Sequence, residues 1–458
     1  MDFINRSMSI KVHPINITSI KKQNYKIHGY YQQNMVIINK TFFNTFNIGD
    51  NHSPAIQAIL NVSPESFYKG SVVEINDLEE TISNYITHGA KIIDLGGRST
   101  APGVAPITVE EELARVKSYL TKLLDFLDTN IIISIDTQYS KIAEFCIKYC
   151  KERGFNVIIN DVSGLRTDRK MTNLILDYDV PLILMASNQK PGDILSVNSI
   201  IENLFNNIID LERKGYDLDK LIIDPGVGKW VPEKTYEYDL AIVDNLERFR
   251  IFGNPILVGI SRKSFIGNVL NKKQPAQRFY GSLAATSIAV YNGAHIIRTH
   301  DVNRELQEMI TMAKHIRKKP LLIEKEGISG GLIGCIKDPL EGRYYQRLLG
   351  VTPAGSRIMD KKMVTKLILL KNVTAPQALV LKQEMLARGG DAAIHKDAVT
   401  TEYKKYDKNQ NCILIGTEKQ LYSLINKLNG QQLELDKIGL IVKEVLEKSR
   451  EDKFLHSI

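Results

Sequence analysis

Cysteine is scarce in this chain: 458 residues hold four, Cys146, Cys150, Cys335 and Cys412. So few thiols argue against a disulfide scaffold and fit a reducing cytoplasm. Cys146 and Cys150, four apart on an expected helix, read as packing residues rather than metal ligands. Long apolar runs are missing too. Nothing approaches the roughly 18 residues that cross a bilayer, and the first residues lack an apolar signal core, so no membrane partner is expected. Charge of one sign never forms a block: 60 Lys and Arg against 52 Asp and Glu leave a net +8. The lysines are scattered and no basic run interleaves with aromatics, which excludes a nucleic-acid footprint while leaving room for an anionic ligand. Gly-x-Gly-x-x-Gly, Walker A, His-Glu-x-x-His and a Ser nucleophile elbow are all absent, which removes several enzyme classes.

What the chain has is eight short apolar runs, expected as strands at 56–61, 91–95, 131–136, 156–160, 181–185, 220–224, 255–259 and 295–299. Unbroken apolar runs suit parallel strands buried on both faces. Helical patterns lie between them, for example 74–90 and 108–127. In the latter Val109, Leu113, Val116, Leu120, Leu123 and Leu127 share one face, and Thr108 with Glu111 forms a capping box. The pattern predicts an α/β fold, a (β/α)8 TIM barrel with an N-terminal extension and a small C-terminal α/β module. The expected divisions are 1–54 as extension or hairpin, with β-like runs at 25–31 and 34–43, and 55–318 as barrel. A connector at 319–343 and a module at 344–458 follow. Within the module, strands at 366–372 and 411–417 and helices at 376–390 and about 418–428 are expected, with a peripheral Lys/Glu helix from 434.

Seven run ends carry polar or Gly-containing signatures, among them NVSPESF (61–67), GGRSTAPG (96–103) and DPGVGKW (224–230). In a barrel the carboxyl ends of the strands converge on one face and line one pocket. Asp136, Asn160 and Asp224 close three strands there. Together they can hydrogen-bond a flat heterocycle rich in N–H donors, since a carboxylate accepts two parallel bonds from an amidine edge; singly, each reads more readily as a loop or helix cap. Ser261, Arg262 and Lys263 follow strand seven. Arg298 and His300 end strand eight and point the same way, which suits gripping a pyrophosphate; the competing reading pairs them with Asp301 or another acid. Asn61 can offer an amide oxygen to Mg2+ shared with phosphate oxygens. The loops 62–73 and 96–107 are candidate lids.

Taken in order, NVSPESF, GGRSTAPG, ISIDT, INDVSG, DPGVG, GISRK and RTHDV closely resemble the dihydropteroate synthase family of pterin-binding barrels over about 55–318. The resemblance implies a Mg2+-dependent transferase. It would join 6-hydroxymethyl-7,8-dihydropterin pyrophosphate to an arylamine and release pyrophosphate. It implies that Asp136, Asn160, Asp224 and Lys263 hold the pterin and that Asn61, Arg298 and His300 hold the pyrophosphate, with Asn61 on the metal. Thr100, Ser261 and Lys263 would face the arylamine, and Asp224, Lys263, Arg298 and His300 would carry catalysis. A cytoplasmic homodimer is also expected.

Some residues depart from the family pattern. Ala101 stands where an Arg is usual, Glu65 where Asp is usual, Lys69 where another Asp is common, and Met185-Ala186-Ser187 replaces Met-His. These forms resemble an archaeal-type branch. The acceptor is therefore either 4-aminobenzoate or a ribofuranosyl-aminobenzene phosphate of methanopterin biosynthesis, whose extra phosphate Arg98 and Lys69 could meet. A methyltetrahydrofolate–corrinoid methyltransferase and a non-catalytic pterin-binding protein are the competing readings on the same fold. Residues 356–394 also resemble a segment that precedes the barrel in some bacterial members.

Overall fold

The computed structural model describes residues 37–65, 72–99, 104–333, 336–399 and 410–450. The first described elements are strands β1 (Asn39–Phe42) and β2 (Phe46–Gly49), an antiparallel hairpin. Phe43 and Asn44 turn it with φ of 53° and 62°, the positive-φ backbone that tight hairpins favour. The expected run at 25–31 lies outside the described residues. The hairpin instead pairs the end of the 34–43 run with Phe46–Gly49, a stretch too short to read as a strand.

Eight parallel strands follow: β3 (Ala55–Asn61), β4 (Ala90–Gly96), β5 (Ile132–Asp136), β6 (Val157–Asp161), β7 (Leu182–Met185), β8 (Leu221–Asp224), β9 (Leu257–Gly259) and β10 (Ile296–Thr299). Their order is β8-β7-β6-β5-β4-β3-β10-β9, and a parallel bridge between Ile223 and Ile256 closes β8 onto β9. The result is the expected TIM barrel. Helices α1 (Leu78–Thr87), α2 (Val109–Phe126), α3 (Ser140–Glu152), α4 (Lys170–Tyr178), α5 (Val197–Arg213), α6 (Tyr236–Asp244), α7 (Ser264–Leu270), α8 (Phe279–Tyr291) and α9 (Arg304–Ile316) surround it. Helix α2 starts on the Thr108–Glu111 capping box. Its Val116, Leu120 and Leu123 are buried as the periodicity predicts, together with Cys146 and Cys150 of α3.

Inside the barrel, Ala55, Ile92, Ile132, Ile158, Ile183, Ile222, Leu257 and Ile296 supply one residue per strand to a floor. Phe42 and Ile48 of the hairpin plug that floor from below. A closed apolar floor makes the barrel a packed core, not a pore.

Beyond α9 a hairpin of β11 (Leu322–Lys325) and β12 (Ile328–Gly331) is exposed along its whole length. Helix α10 (Pro339–Leu348) crosses the expected boundary at 343/344. Tyr344 stacks on Phe205 of α5 with ring centroids 3.9 Å apart, and Glu341 pairs with Arg248 at 2.5 Å. This helix therefore packs on the barrel. Helix α11 (Pro353–Met359) leads to a three-stranded antiparallel sheet of β13 (Thr365–Val373), β14 (Asp391–Ala393) and β15 (Gln410–Thr417), with β15 central. Helices α12 (Ala375–Leu386), α13 (Glu418–Leu428) and α14 (Leu435–Lys448) complete this unit. Helix α14 is not peripheral: Leu435, Ile438, Val442 and Leu446 enter the same core as Leu381, Leu414 and Leu424. Its Lys and Glu residues occupy only the outer face, which masks an apolar stripe.

Candidate active site

Alternation along a strand aims residues i and i+2 at the same face. Two residues above the apolar floor the inward positions are Gln57, Asp94, Ser134, Asn160, Met185, Asp224, Gly259 and Arg298. The polarity of the barrel thus inverts within one layer. Two residues higher come Asp136, Ser261 and His300, at the carboxyl ends of β5, β9 and β10.

Arg298 organises this layer. Its Nε donates to Asp94 Oδ2 at 2.6 Å and its Nη2 to Asp136 Oδ2 at 2.5 Å. Asp94, fully buried, also accepts from Ser134 Oγ at 2.5 Å, with Asn160 Nδ2 at 3.4 Å. Burial opposes the charge on Arg298, yet Asp94 and Asp136 hold its pKa above the ordinary arginine value. Burial pushes the Asp136 carboxyl upward against the pull of Arg298. Of the competing readings, an acid partner for Arg298 is present, but it is Asp94 and Asp136. Asp301 is instead gripped by the Nε and Nη2 of Arg262 at 3.0 and 2.6 Å.

Asn160 Oδ1 is buried with no hydrogen-bond partner among the described residues. Such an acceptor carries a penalty of about 1–3 kcal/mol unless a donor reaches it. Asp224, also buried, receives Gly226 N–H at 2.7 Å. Burial raises its pKa, while Lys263 pulls it back down. The Lys263 ammonium is pushed down to about 8 by burial, against Asp224 and Asp239. It donates to the Val227 carbonyl and lies 4.6 Å from the centroid of the Trp230 ring, close enough for a cation–π contact.

The loop after β8 is braced from beneath. Lys234 Nζ, almost fully buried, donates to the Gly226 carbonyl at 2.6 Å and lies 3.2 Å from Asp239. Asp239 in turn accepts from Gly228 N–H at 2.7 Å. Gly228 has φ of +127°, and a Cβ there would sit 2.9 Å from Lys263 Nζ. Glycine is needed at this position on both counts.

Ser261 Oγ lies 3.3 Å from His300 Nδ1 and 3.1 Å from Asp301 Oδ2. Burial drives the His300 pKa down to about 3, with Arg298, Arg262 and Lys263 adding to the effect, so its imidazole is neutral at pH 7. Asn61 ends β3 and its Oδ1 accepts Ser63 N–H at 3.1 Å. Asp136, Asn160, Asp224, Ser261, Lys263, Arg298 and His300 therefore share one barrel mouth, with Asn61 on its rim. Thr100, Ala101 and Lys69 lie outside the described residues. Arg98 is occupied: it pairs with Glu112 at 2.6 Å, and Glu112 also accepts from Thr137 at 2.8 Å. Ala186 is buried, and Ser187 beside it donates to the Val162 carbonyl at 2.8 Å. Of the candidate lids, Glu65 is tied to Arg115 at 2.7 Å.

Three contributors were not singled out from the sequence. Asp94 was legible, since it stands two residues after Ile92 as Asp224 does after Ile222. Trp230 and the Lys234–Asp239 brace carry no local signal; only the fold brings them to Lys263.

Comparison with known proteins agrees with this geometry. The family model for pterin binding enzymes matches residues 57–300. Dihydropteroate synthase of Clostridium beijerinckii is 37% identical over 265 residues, spanning 56% of this chain and 91% of that protein. The Escherichia coli enzyme is 34% identical over 266 residues, spanning 56% and 89%. Among solved structures, the Coxiella burnetii dihydropteroate synthase in complex with pteroic acid superposes with a TM-score of 0.52 at 31% identity, covering 61% of this chain and 98% of that one. The Xanthomonas albilineans enzyme with 4-aminobenzoic acid gives 0.52 at 28% identity, covering 61% and 98%. The matched span holds every residue that builds the barrel mouth, and the chain belongs to the pterin binding enzyme family.

Proposed function

We propose that this protein is a dihydropteroate synthase, transferring the pterin methylene of 6-hydroxymethyl-7,8-dihydropterin pyrophosphate to the amino group of 4-aminobenzoate. The observation that carries the reading is the Asp94–Arg298–Asp136 set, with Asp94 fully buried and Arg298 and Asp136 open to the mouth, beside Asn160, Asp224 and Lys263. Its donors and acceptors complement a fused heterocycle with an amidine edge. Asp136, Asn160 and Asp224 take the pterin N–H groups, and the orphan Asn160 Oδ1 gains a donor. Lys263 donates to a ring acceptor. The guanidinium of Arg298, held flat by two carboxylates, offers a surface on which the ring can stack.

In the reaction the methylene carbon–oxygen bond breaks, the electron pair leaves with pyrophosphate, and positive charge spreads into the pterin. Asp224 stabilises that charge and Arg298 the departing anion. Neutral His300 adds a hydrogen bond to the anion, while Ser261 and Lys263 face the arylamine. The arylamine nitrogen then forms the new carbon–nitrogen bond and loses a proton to solvent. Positioning and charge complementarity supply the acceleration.

Mg2+ fits as an ion shared with the substrate. No group of three His, Cys, Asp or Glu poised for a metal occurs among the described residues. The Asn61 amide oxygen with pyrophosphate oxygens is the donor set that remains, and the ion would neutralise the leaving group.

Ribofuranosyl-aminobenzene phosphate is the weaker acceptor because Arg98, one of the two cations available for its phosphate, is already paired with Glu112. A homodimer is supported by an apolar cavity of about 690 Å³ between α8 and α9, where Tyr280, Ile288, Tyr291, Met312 and Ile316 are exposed. A cytoplasmic setting suits the buried unpaired thiols of Cys146, Cys150 and Cys412. No helix among the described residues is long and apolar enough to cross a membrane.

The test is Mg2+-dependent pyrophosphate release from the pterin pyrophosphate with either amine, products identified by mass. Turnover with 4-aminobenzoate is expected. Turnover with the ribosylated amine alone would reassign the acceptor, and silence with both would overturn the reading.

A further inference from the structure

At the opposite end of the barrel, below the floor, buried positive charge exceeds negative among the described residues. Asp50 follows the β1–β2 hairpin and is almost fully buried. Its carboxylate accepts from Arg250 Nη1 and Nη2 at 2.9 and 2.8 Å and from Arg317 Nη2 at 2.7 Å. Lys314 Nζ donates to the carbonyl of the same residue. His295, 3.3 Å away, is held down to about 4 by burial and brings no charge at pH 7. Among the described residues, Arg250 and Arg317 thus share one carboxylate, with the Lys314 ammonium on the backbone of the same residue. The mismatch is felt: burial and then Arg250 lower the pKa of Arg317, and burial and then Arg317 lower that of Lys314.

A cavity of about 350 Å³ opens against this cluster. Arg250 and Arg317 line it together with Lys318 and Lys319, both exposed, and the rings of Tyr291 and Tyr345. Neither Lys318 nor Lys319 forms an ion pair among the described residues. The other cations on the wall are already matched, Arg248 with Glu341 and Lys337 with Glu247. Barrel base, connector and α10 all contribute walls, so the pocket exists only when all three are packed together. Its volume falls at the lower end of the range of about 300–1,000 Å³ typical of small-molecule sites.

We infer that this basal cavity is a second binding site, distinct from the barrel mouth, for a small phosphorylated anion. Phosphate oxygens would supply negative charge to Arg317, Lys318 and Lys319, and guanidinium and ammonium groups match them in geometry and charge. The two tyrosine rings give a flat substituent on the phosphate an apolar wall. The site goes beyond the proposed reaction and does not depend on it.

The test is calorimetric titration of full-length protein with inorganic tripolyphosphate and, separately, adenosine triphosphate, each against wild type and Lys318→Ala/Lys319→Ala. The two lysines are exposed, so the variant should fold as wild type does, which its melting curve checks. Any phosphate bound at the barrel mouth contributes equally to both proteins and cancels in the comparison. Binding of both probes at least tenfold weaker in the variant, with turnover unchanged, is expected. Isotherms that superpose in the two proteins, or no binding of either probe to wild type, would overturn the proposal.

Discussion

Arg298 illustrates how one side chain serves packing and chemistry together. Its two carboxylate partners fix the guanidinium plane before any ligand arrives, so no ordering cost falls on binding. Replacing Asp94 by Ala would leave a buried guanidinium short of one partner. The expected loss is about 3 kcal/mol of stability, read as a lower urea midpoint, with weaker pterin binding beside it. Asp224→Asn should leave the fold intact, since Gly226 N–H still finds an acceptor, but reduce pterin affinity about tenfold or more by removing charge, measured by titration with the pterin. The pH profile separates two residues. With Lys263 lowered to about 8, the ammonium that binds the pterin is present below that pH and lost above it. Affinity and kcat/KM should therefore fall as pH rises through about 8. With His300 lowered to about 3, no inflection from it should appear between pH 5 and 7.5; one near 6.5 that vanishes in His300→Ala would show the imidazole to be charged.

Elements place these residues with little slack. The loop after β8 presents Val227 to Lys263 because Lys234 and Asp239 hold the carbonyl of Gly226 and the N–H of Gly228. Gly228→Ala should therefore displace Lys263 and raise KM for the pterin with a smaller effect on kcat, a split that steady-state kinetics reads. Helix α2 tests a purely structural device. Thr108→Ala removes the capping bond to Glu111 and should cost about 1 kcal/mol in urea unfolding while leaving turnover unchanged. The strands were legible because a residue run buried on both faces has to be apolar throughout, and their polar ends were legible because they break that rule. Asp94 is the less conspicuous residue because it lies inside a run rather than at its end. Helix α14 reads as peripheral because its Lys and Glu residues outnumber the apolar stripe that packs.

On the scale of the whole molecule, the chain has a large barrel core that takes in Tyr344 and Tyr345 of α10, and a separate smaller core built by β13–β15 and α12–α14. A chain ending at residue 350 should keep the melting temperature of the barrel. One ending at 336 should lose several degrees, because Arg248 is left buried without Glu341 and Phe205 without Tyr344. Scanning calorimetry of the two truncations checks this, and equal melting temperatures would assign α10 to the smaller unit instead.

Periodicity and composition alone determined the barrel, its strand limits and most of the mouth, since burial on both faces and alternation are local rules that each residue obeys on its own. Tertiary structure alone decided which charges meet. Arg298 reaches Asp94 and Asp136 across 204 and 162 residues of chain, and Asp50 gathers Arg250 and Arg317 across 200 and 267. Charge pairing depends on proximity in space, and closure of the barrel is what converts distant positions into neighbours.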